Sequence, residues 1–260
     1  MNVKNIENMI KEKLLIIIIP IRKIKYFGKK YKCNICNSWV REMRPFGIKH
    51  EIFEKNTILE AGYRENCVCP VCKSKDRIRL VFYYIKKYTD ILYGRNTILH
   101  FAPEPQLKRK IKKNHKAKYY DGDISEGAAS MVIDMTNIQF EDNKFDYIIC
   151  NQVLEHIEEE EKAILELKRV IKPSGKIILT VPICISNEKT IEDKSITDPE
   201  QRLAMFCQED HVRLYGRDFK ERIENYGLKV EEYNFEESEG IEERKKYGIV
   251  EHGVIYIATK

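Results

Sequence analysis

This 260-residue chain has no apolar run long enough to cross a membrane, no repeat and no low-complexity tract. Its longest apolar stretch, Leu14 to Ile21, is eight residues with Pro20 inside it, against about 20 for a spanning helix. Marks of a secretory signal are also missing: Glu7 and Glu12 precede that stretch and no small-residue cleavage site follows it. A cytoplasmic location is the expectation. Neither sign of charge dominates. The net +5 comes from one place, because residues 1–32 carry nine Lys/Arg against two Glu and the remainder is about −2. Residues 1–30 therefore read as a basic arm. It is either a docking element of the fold or a segment resting on anionic lipid at the inner membrane face, and it says little about the substrate of the core.

A disulfide framework is the next thing absent. Five of the eight cysteines crowd between Cys33 and Cys72, while Cys150, Cys184 and Cys207 stand alone. With no export signal, a reduced chain with a metal site accounts better for this spacing. Cys33-x-x-Cys36 and Cys69-x-x-Cys72 are two knuckles that each offer two thiolates from one turn, the donor set of a structural zinc. Four thiolates leave no open position, so a catalytic zinc is not expected there. The module spans 31–76, with Trp39, Phe46 and Phe53 as its expected small core and Cys67 as a bystander. So short a segment buries too little apolar surface to fold alone, and metal binding of about 10–16 kcal/mol would make up the difference.

Apolar residues at helical spacing from Arg77 to Tyr93 predict a helix within a link at 77–95. From 96 to 260 short apolar strands alternate with helices: Thr97–Phe101, Ala117–Asp121, Ser130–Asp134, Tyr147–Cys150 and Lys176–Val181. This predicts an α/β fold with a mostly parallel sheet and helices on both faces. Asp198-Pro199 opens a further helix, Arg217 to Tyr226 forms another, and Leu228–Phe235 with Val250–Ala258 end the chain as an antiparallel pair.

Phe145-Asp-Tyr-Ile-Ile-Cys-Asn-Gln-Val-Leu-Glu-His-Ile157 and the turn Lys172-Pro-Ser-Gly175 resemble the centre of class I S-adenosylmethionine (SAM) dependent methyltransferases of type 11. The resemblance covers about 95–260. It implies a Rossmann-like seven-stranded sheet with an antiparallel last strand, SAM as co-substrate, and a ligand crevice at the strand ends. By position it places Asp123 on the ribose hydroxyls, with Asp121 as rival. Asp134 and the Met135 amide fall on the adenine, and Asn151 and Gln152 near the transferring methyl. The family's Gly-rich loop after the first strand is missing. His100-Phe-Ala-Pro-Glu-Pro-Gln106 stands there, with Phe101, Ala102 and Glu104 as expected lining.

On the acceptor side, Gln208 to Gly216 concentrates polar groups. His211 or Asp210 is the candidate base, and Arg213 and Tyr215 are candidate substrate contacts, with an internal polar network as the alternative. His156 is expected to pack rather than catalyse. The expected function is methyl transfer to a small-molecule or glycan acceptor. The alternative is a non-catalytic zinc-ribbon protein with a degenerate SAM domain that holds RNA or a protein partner. No nucleic-acid signature is present, so nucleic acid is not the expected partner.

Overall fold

The computed structural model describes residues 17–55 and 57–260. Most of the basic arm, residues 1–16, lies outside the described residues. Helix α1 covers 17–25. The cysteine-rich module follows with strands β1 (Phe27–Lys32), β2 (Trp39–Val40) and β3 (Arg44–Phe46), helix α2 (Glu51–Lys55) and strand β4 (Arg64–Val68). β1 pairs antiparallel with β2, and β3 with β4.

Helix α3 (Asp76–Tyr88) leads into β5 (Thr97–Phe101), α4 (Pro105–Ile111), β6 (Lys118–Asp123), β7 (Met131–Val132) and β8 (Phe145–Asn151). A 3-10 turn at Leu154–His156 precedes α5 (Glu160–Val170), β9 (Ile171–Thr180), β10 (Ile191–Glu192), α6 (Pro199–Phe206) and β11 (Arg213–Leu214). The chain ends with α7 (Phe219–Asn225), β12 (Lys229–Asn234), α8 (Phe235–Glu239), α9 (Ile241–Tyr247) and β13 (Val254–Thr259).

Seven strands form one sheet in the order β12-β13-β9-β8-β5-β6-β7. β7, β6, β5, β8 and β9 run parallel, and β13 is antiparallel to both β9 and β12. The chain grows outward from β5 through β6 and β7, then returns to β5's other side with β8. That reversal makes the β5/β8 boundary a topological switch point, where open α/β sheets hold ligands at their carboxyl ends.

Strand periodicity sorts the core into two faces. Ile98, Ile149, Ile178 and Ile257 point to one side, with α3 and the module. Leu99, Ile148, Ile177 and Ala258 point to the other, with α5 and α7. Leu80 and Ile85 of α3 are fully buried, each contributing about 1.5–3 kcal/mol.

Several expectations change in detail. The helix predicted to Tyr93 stops at Tyr88. Lys172–Gly175, read as a turn, lies inside β9 as a bulge, since the pairing steps from Phe145↔Ile171 to Tyr147↔Lys176. The last two strands are joined by α8 and α9 rather than a loop. Trp39 and Phe46 are 39% and 44% exposed, so they are not the module's core. Tyr31, Ile35, Val40 and Val71 take that role, in one cluster with α3. Phe53 packs instead beside Cys184, Phe206 and Leu214.

Candidate cofactor and acceptor site

A cavity of about 560 Å³ opens at the carboxyl ends of β5, β6, β7 and β8, within the usual range for small-molecule sites. On one side it is lined by Phe101, Ala102, Asp123, Ile133, Asp134 and Met135, and on the other by Gln152, Val153, His156 and Asp210.

The glycine-free loop after β5 still makes a tight turn. Ala102 adopts φ 42°, the left-handed region that glycine usually fills, and its amide donates to Gly122 O at 2.9 Å. Gln152, at the end of β8, also sits at φ 54° and donates to Thr180 O at 2.7 Å. Two non-glycine residues in this region at the switch point are the kind of backbone strain that accumulates at functional sites. Gly122 is needed for another reason: a Cβ there would fall 2.4 Å from Ile133 Cδ1.

The two candidate ribose acids have separate fates. Asp121 is buried, ion-paired with Lys108 at 2.7 Å, and accepts from Ser130 N and Oγ. Burial works to raise its pKa, but Lys108 and the Ser130 amide hold it below the usual carboxylate value. Asp123 lines the cavity, and one oxygen accepts from Ser125 N at 2.8 Å. Asp134 also lines the cavity and accepts from Thr136 N and Oγ1 through one oxygen. The apolar sides of Ile124, Ile133 and Met135 lie alongside. Two carboxylates spaced along an apolar slot fit the ribose and adenine of SAM.

Glu104 and Asn151 do not line the cavity. Glu104 Oε2 lies 3.0 Å from His100 Nε2, and its Oε1 accepts from Asn151 Nδ2 at 3.2 Å. Glu104, just before α4, thereby ties the end of β5 to the end of β8 beneath the loop.

The acceptor-side loop differs most from expectation. Only Asp210 of its candidates reaches the cavity. His211 is buried behind it, with Nδ1 2.9 Å from Phe206 O, and burial, then the His156 ring, lowers its pKa to about 4. A ring closed off in this way cannot serve as the base. Arg213, 2% exposed, donates to Leu154 O, Ile157 O and Glu158 O and to Glu192. Tyr215 is fully buried and donates to Glu160. Both are internal struts rather than substrate contacts: Arg213 straps the 154–158 turn that presents His156. His156 lines the cavity, with Nδ1 3.3 Å from Asp210 Oδ2. Burial works to raise the Asp210 pKa, but the Gln208 side chain and then His156 hold it low.

Sequence reasoning missed one group altogether. Glu60, in the module, is 4% exposed and accepts from Gln152 Nε2 at 3.1 Å, while Arg77 donates to Gln152 Oε1 at 2.7 Å. Burial raises the Glu60 pKa to about 8, with Arg77 opposing. The 32 residues between the knuckles thus carry a loop to the cavity rim, where Leu59 N donates to Ile183 O. No motif in the sequence marks Glu60.

In the module, Cys33, Cys36, Cys69 and Cys72 converge with all donor atoms within 4.8 Å. Cys33–Cys72 and Cys36–Cys69 sulfurs are 3.7 and 3.8 Å apart, matching the edge of about 3.8 Å for a tetrahedron with metal–sulfur bonds of about 2.3 Å. The knuckles share one plan. Asn37 N donates to Cys33 O and Lys73 N to Cys69 O, and Asn37 and Lys73 both have positive φ. Ser38 and Ser74 hydroxyls lie 3.3 and 3.2 Å from Cys36 and Cys72 sulfurs. These residues fit a zinc ion. Cys67 is apart, donating to Asp76 at 3.1 Å.

The fold and strand order are those of a class I SAM-dependent methyltransferase domain. Residues 87–179 match the family model described as a methyltransferase domain. Phosphoethanolamine N-methyltransferase 2 of Caenorhabditis elegans is 36% identical over 50 residues, 19% of this chain. The chain's match spans about 11% of that relative's length. Among solved structures, the [4+2]-cyclase SpnF superimposes with a TM-score of 0.51 at 14% identity, covering 70% of this chain and 80% of that one. Haemonchus contortus phosphoethanolamine N-methyltransferase 2 in complex with SAM gives 0.47 at 17% identity, over 69% and 51% of the two chains. The presence of a cyclase on this fold shows that the fold alone does not fix the reaction.

Proposed function

We propose that this protein transfers the methyl group of SAM to a small-molecule acceptor of sugar or glycan-precursor type, and that its four-cysteine cluster holds a structural zinc. The observation that carries this is the Asp123 carboxylate, which lines a switch-point cavity with only one oxygen engaged, by Ser125 N, while its neighbour Asp121 is tied to Lys108 and Ser130. A carboxylate with an available oxygen can accept from ribose hydroxyls. The adenine would lie against Ile133 and Met135, and the methionine part by the Ala102 turn.

SAM supplies an activated methyl on a sulfonium, so the protein's main task is alignment. Gln152, held from both ends of its amide by Arg77 and Glu60, is fixed at the wall where the acceptor would approach. His156 and Asp210 make that wall polar, which suits a hydroxyl-bearing acceptor. Calorimetric titration with SAM tests the reading. One site per chain with micromolar affinity is expected; no heat at high micromolar SAM would favour the non-catalytic zinc-ribbon alternative.

For the arm we propose peripheral contact with anionic lipid. Ile17, Ile21 and Ile24 are exposed along α1 beside Arg22, Lys23 and Lys25, an apolar stripe flanked by cations. No described helix is long and apolar enough to cross a membrane. Cosedimentation with phosphatidylserine vesicles but not neutral ones is the expected result, and equal failure with both removes the proposal.

A further inference from the structure

We infer that Glu155, His156 and His211 form a second metal site, separate from the cysteine cluster, for a divalent transition ion such as Mn2+ or Fe2+. One donor atom from each lies within 4.8 Å of the others. Glu155 is 1% exposed, and neither carboxylate oxygen has a hydrogen-bond partner. A buried carboxyl with no partner stays ionised only beside a counter-charge, and a cation would engage both oxygens.

The imidazoles are prepared for the same role. Each Nδ1 faces acceptors: Phe206 O for His211 at 2.9 Å, and the carbonyl and carboxylate of Asp210 for His156 at 3.2 and 3.3 Å. Each Nδ1 therefore carries the proton, and each Nε2 presents a lone pair. Metal-binding histidines are commonly oriented by such a bond from the other nitrogen. One carboxylate and two imidazoles form a donor set suited to divalent transition ions with open positions. Three donors bound to one ion at about 2.0–2.2 Å lie at most about 3.8 Å from one another, so side chains now within 4.8 Å must draw in by up to about 1 Å to complete the site. The backbone is braced for this, since Val212 N donates to Glu155 O and Arg213 clamps Leu154 O and Ile157 O.

Of the three residues, only His156 lines the cavity, so the ion's open positions face it. The next step rests on the methyltransferase reading: an acceptor hydroxyl takes one of those positions. Its O–H proton leaves to solvent and its oxygen forms the new O–CH3 bond. The S–CH3 bond of the sulfonium breaks, with the electron pair going to sulfur. The site thereby selects an oxygen nucleophile.

The test uses the zinc-loaded full chain without SAM, so its outcome is independent of cofactor binding. Mn2+, which favours oxygen donors over thiolate, is titrated while the free ion is followed by electron paramagnetic resonance. One Mn2+ per chain is expected, with enhanced water-proton relaxation from the open positions. Affinity should fall roughly 10-fold or more in Glu155→Gln. His156→Gln, at a half-buried position, should fall likewise and guards against misfolding of the buried variant. No binding by the wild type at millimolar Mn2+, or wild-type affinity in a folded His156→Gln, overturns the site. Binding without relaxation enhancement overturns the acceptor step.

Discussion

The cavity wall made by Ala102, Asp123 and Met135 uses residues at the ends of neighbouring strands. The facing wall of Gln152, His156 and Asp210 depends on partners 54 to 92 positions away in sequence. The first wall follows from strand order and would exist in any sheet wound this way. The second exists only while the module and the 183–215 segment are docked. On the proposed function, cofactor binding and acceptor positioning thus have different physical supports, and perturbations should separate them.

The largest effect should come from the metal module. Its residues share one apolar cluster with α3 and with sheet positions Ile98, Ile149 and Ile178. Cys69→Ser, or chelation of the proposed zinc, should therefore destabilise the whole chain by more than about 4 kcal/mol, seen as one lowered thermal transition. A module that melts alone while the sheet keeps its transition would show that the shared apolar cluster does not couple the module to the sheet.

Next comes the cofactor wall. Asp123→Ala should weaken SAM binding roughly 10- to 100-fold, the cost of charge-assisted hydrogen bonds, with little change in melting temperature. Asp121→Asn should do the reverse, lowering stability through the lost Lys108 pair and Ser130 bonds while folded protein still binds SAM. Calorimetry and thermal melts on both variants read this directly, and exchanged phenotypes would move the ribose contact to Asp121.

What was legible in the sequence follows the same division. The central strands and cysteine knuckles could be read because their signals are local: apolar runs of five or six residues and two-residue cysteine spacing. Seven of the expected cavity residues, among them Asp123, Asp134 and Asp210, line one cavity for the same reason. Arg213 and Tyr215 misled because a polar cluster reads alike whether it faces substrate or, as here, braces a turn from inside. Glu104 and Asn151 sit within two residues of lining positions in sequence, but their side chains bond each other and do not line the cavity. Glu60 was invisible, because its role depends on a loop crossing to a strand 92 positions later.

Glu60 also sharpens the comparison through pH. Burial holds its proton in the folded state up to about pH 8, while the unfolded group releases it near 4.3. Between those values the native state binds more protons, so stability should fall as pH rises and level off above 8. Glu60→Gln removes this titration. Relative to wild type it should gain about 3–4 kcal/mol from pH 5 to pH 8, measured by urea denaturation across that range. A difference that does not change with pH would mean that the second wall does not depend on a protonated Glu60.

The smallest expected effect probes the glycine-free turn. At φ 42°, Ala102 bears a left-handed penalty of about 1–2 kcal/mol, which glycine would not. Glycine would in turn widen the unfolded ensemble, costing about 0.4–1 kcal/mol. Ala102→Gly should therefore stabilise the fold by about 0.5–1 kcal/mol, a shift readable in urea midpoints. SAM affinity should stay the same, because Ala102 N would keep its bond to Gly122 O and the turn its shape. A clear loss of affinity would instead assign the Ala102 methyl group a contact with the cofactor. The first wall would then rest on a side chain as well as on the backbone path that strand order imposes.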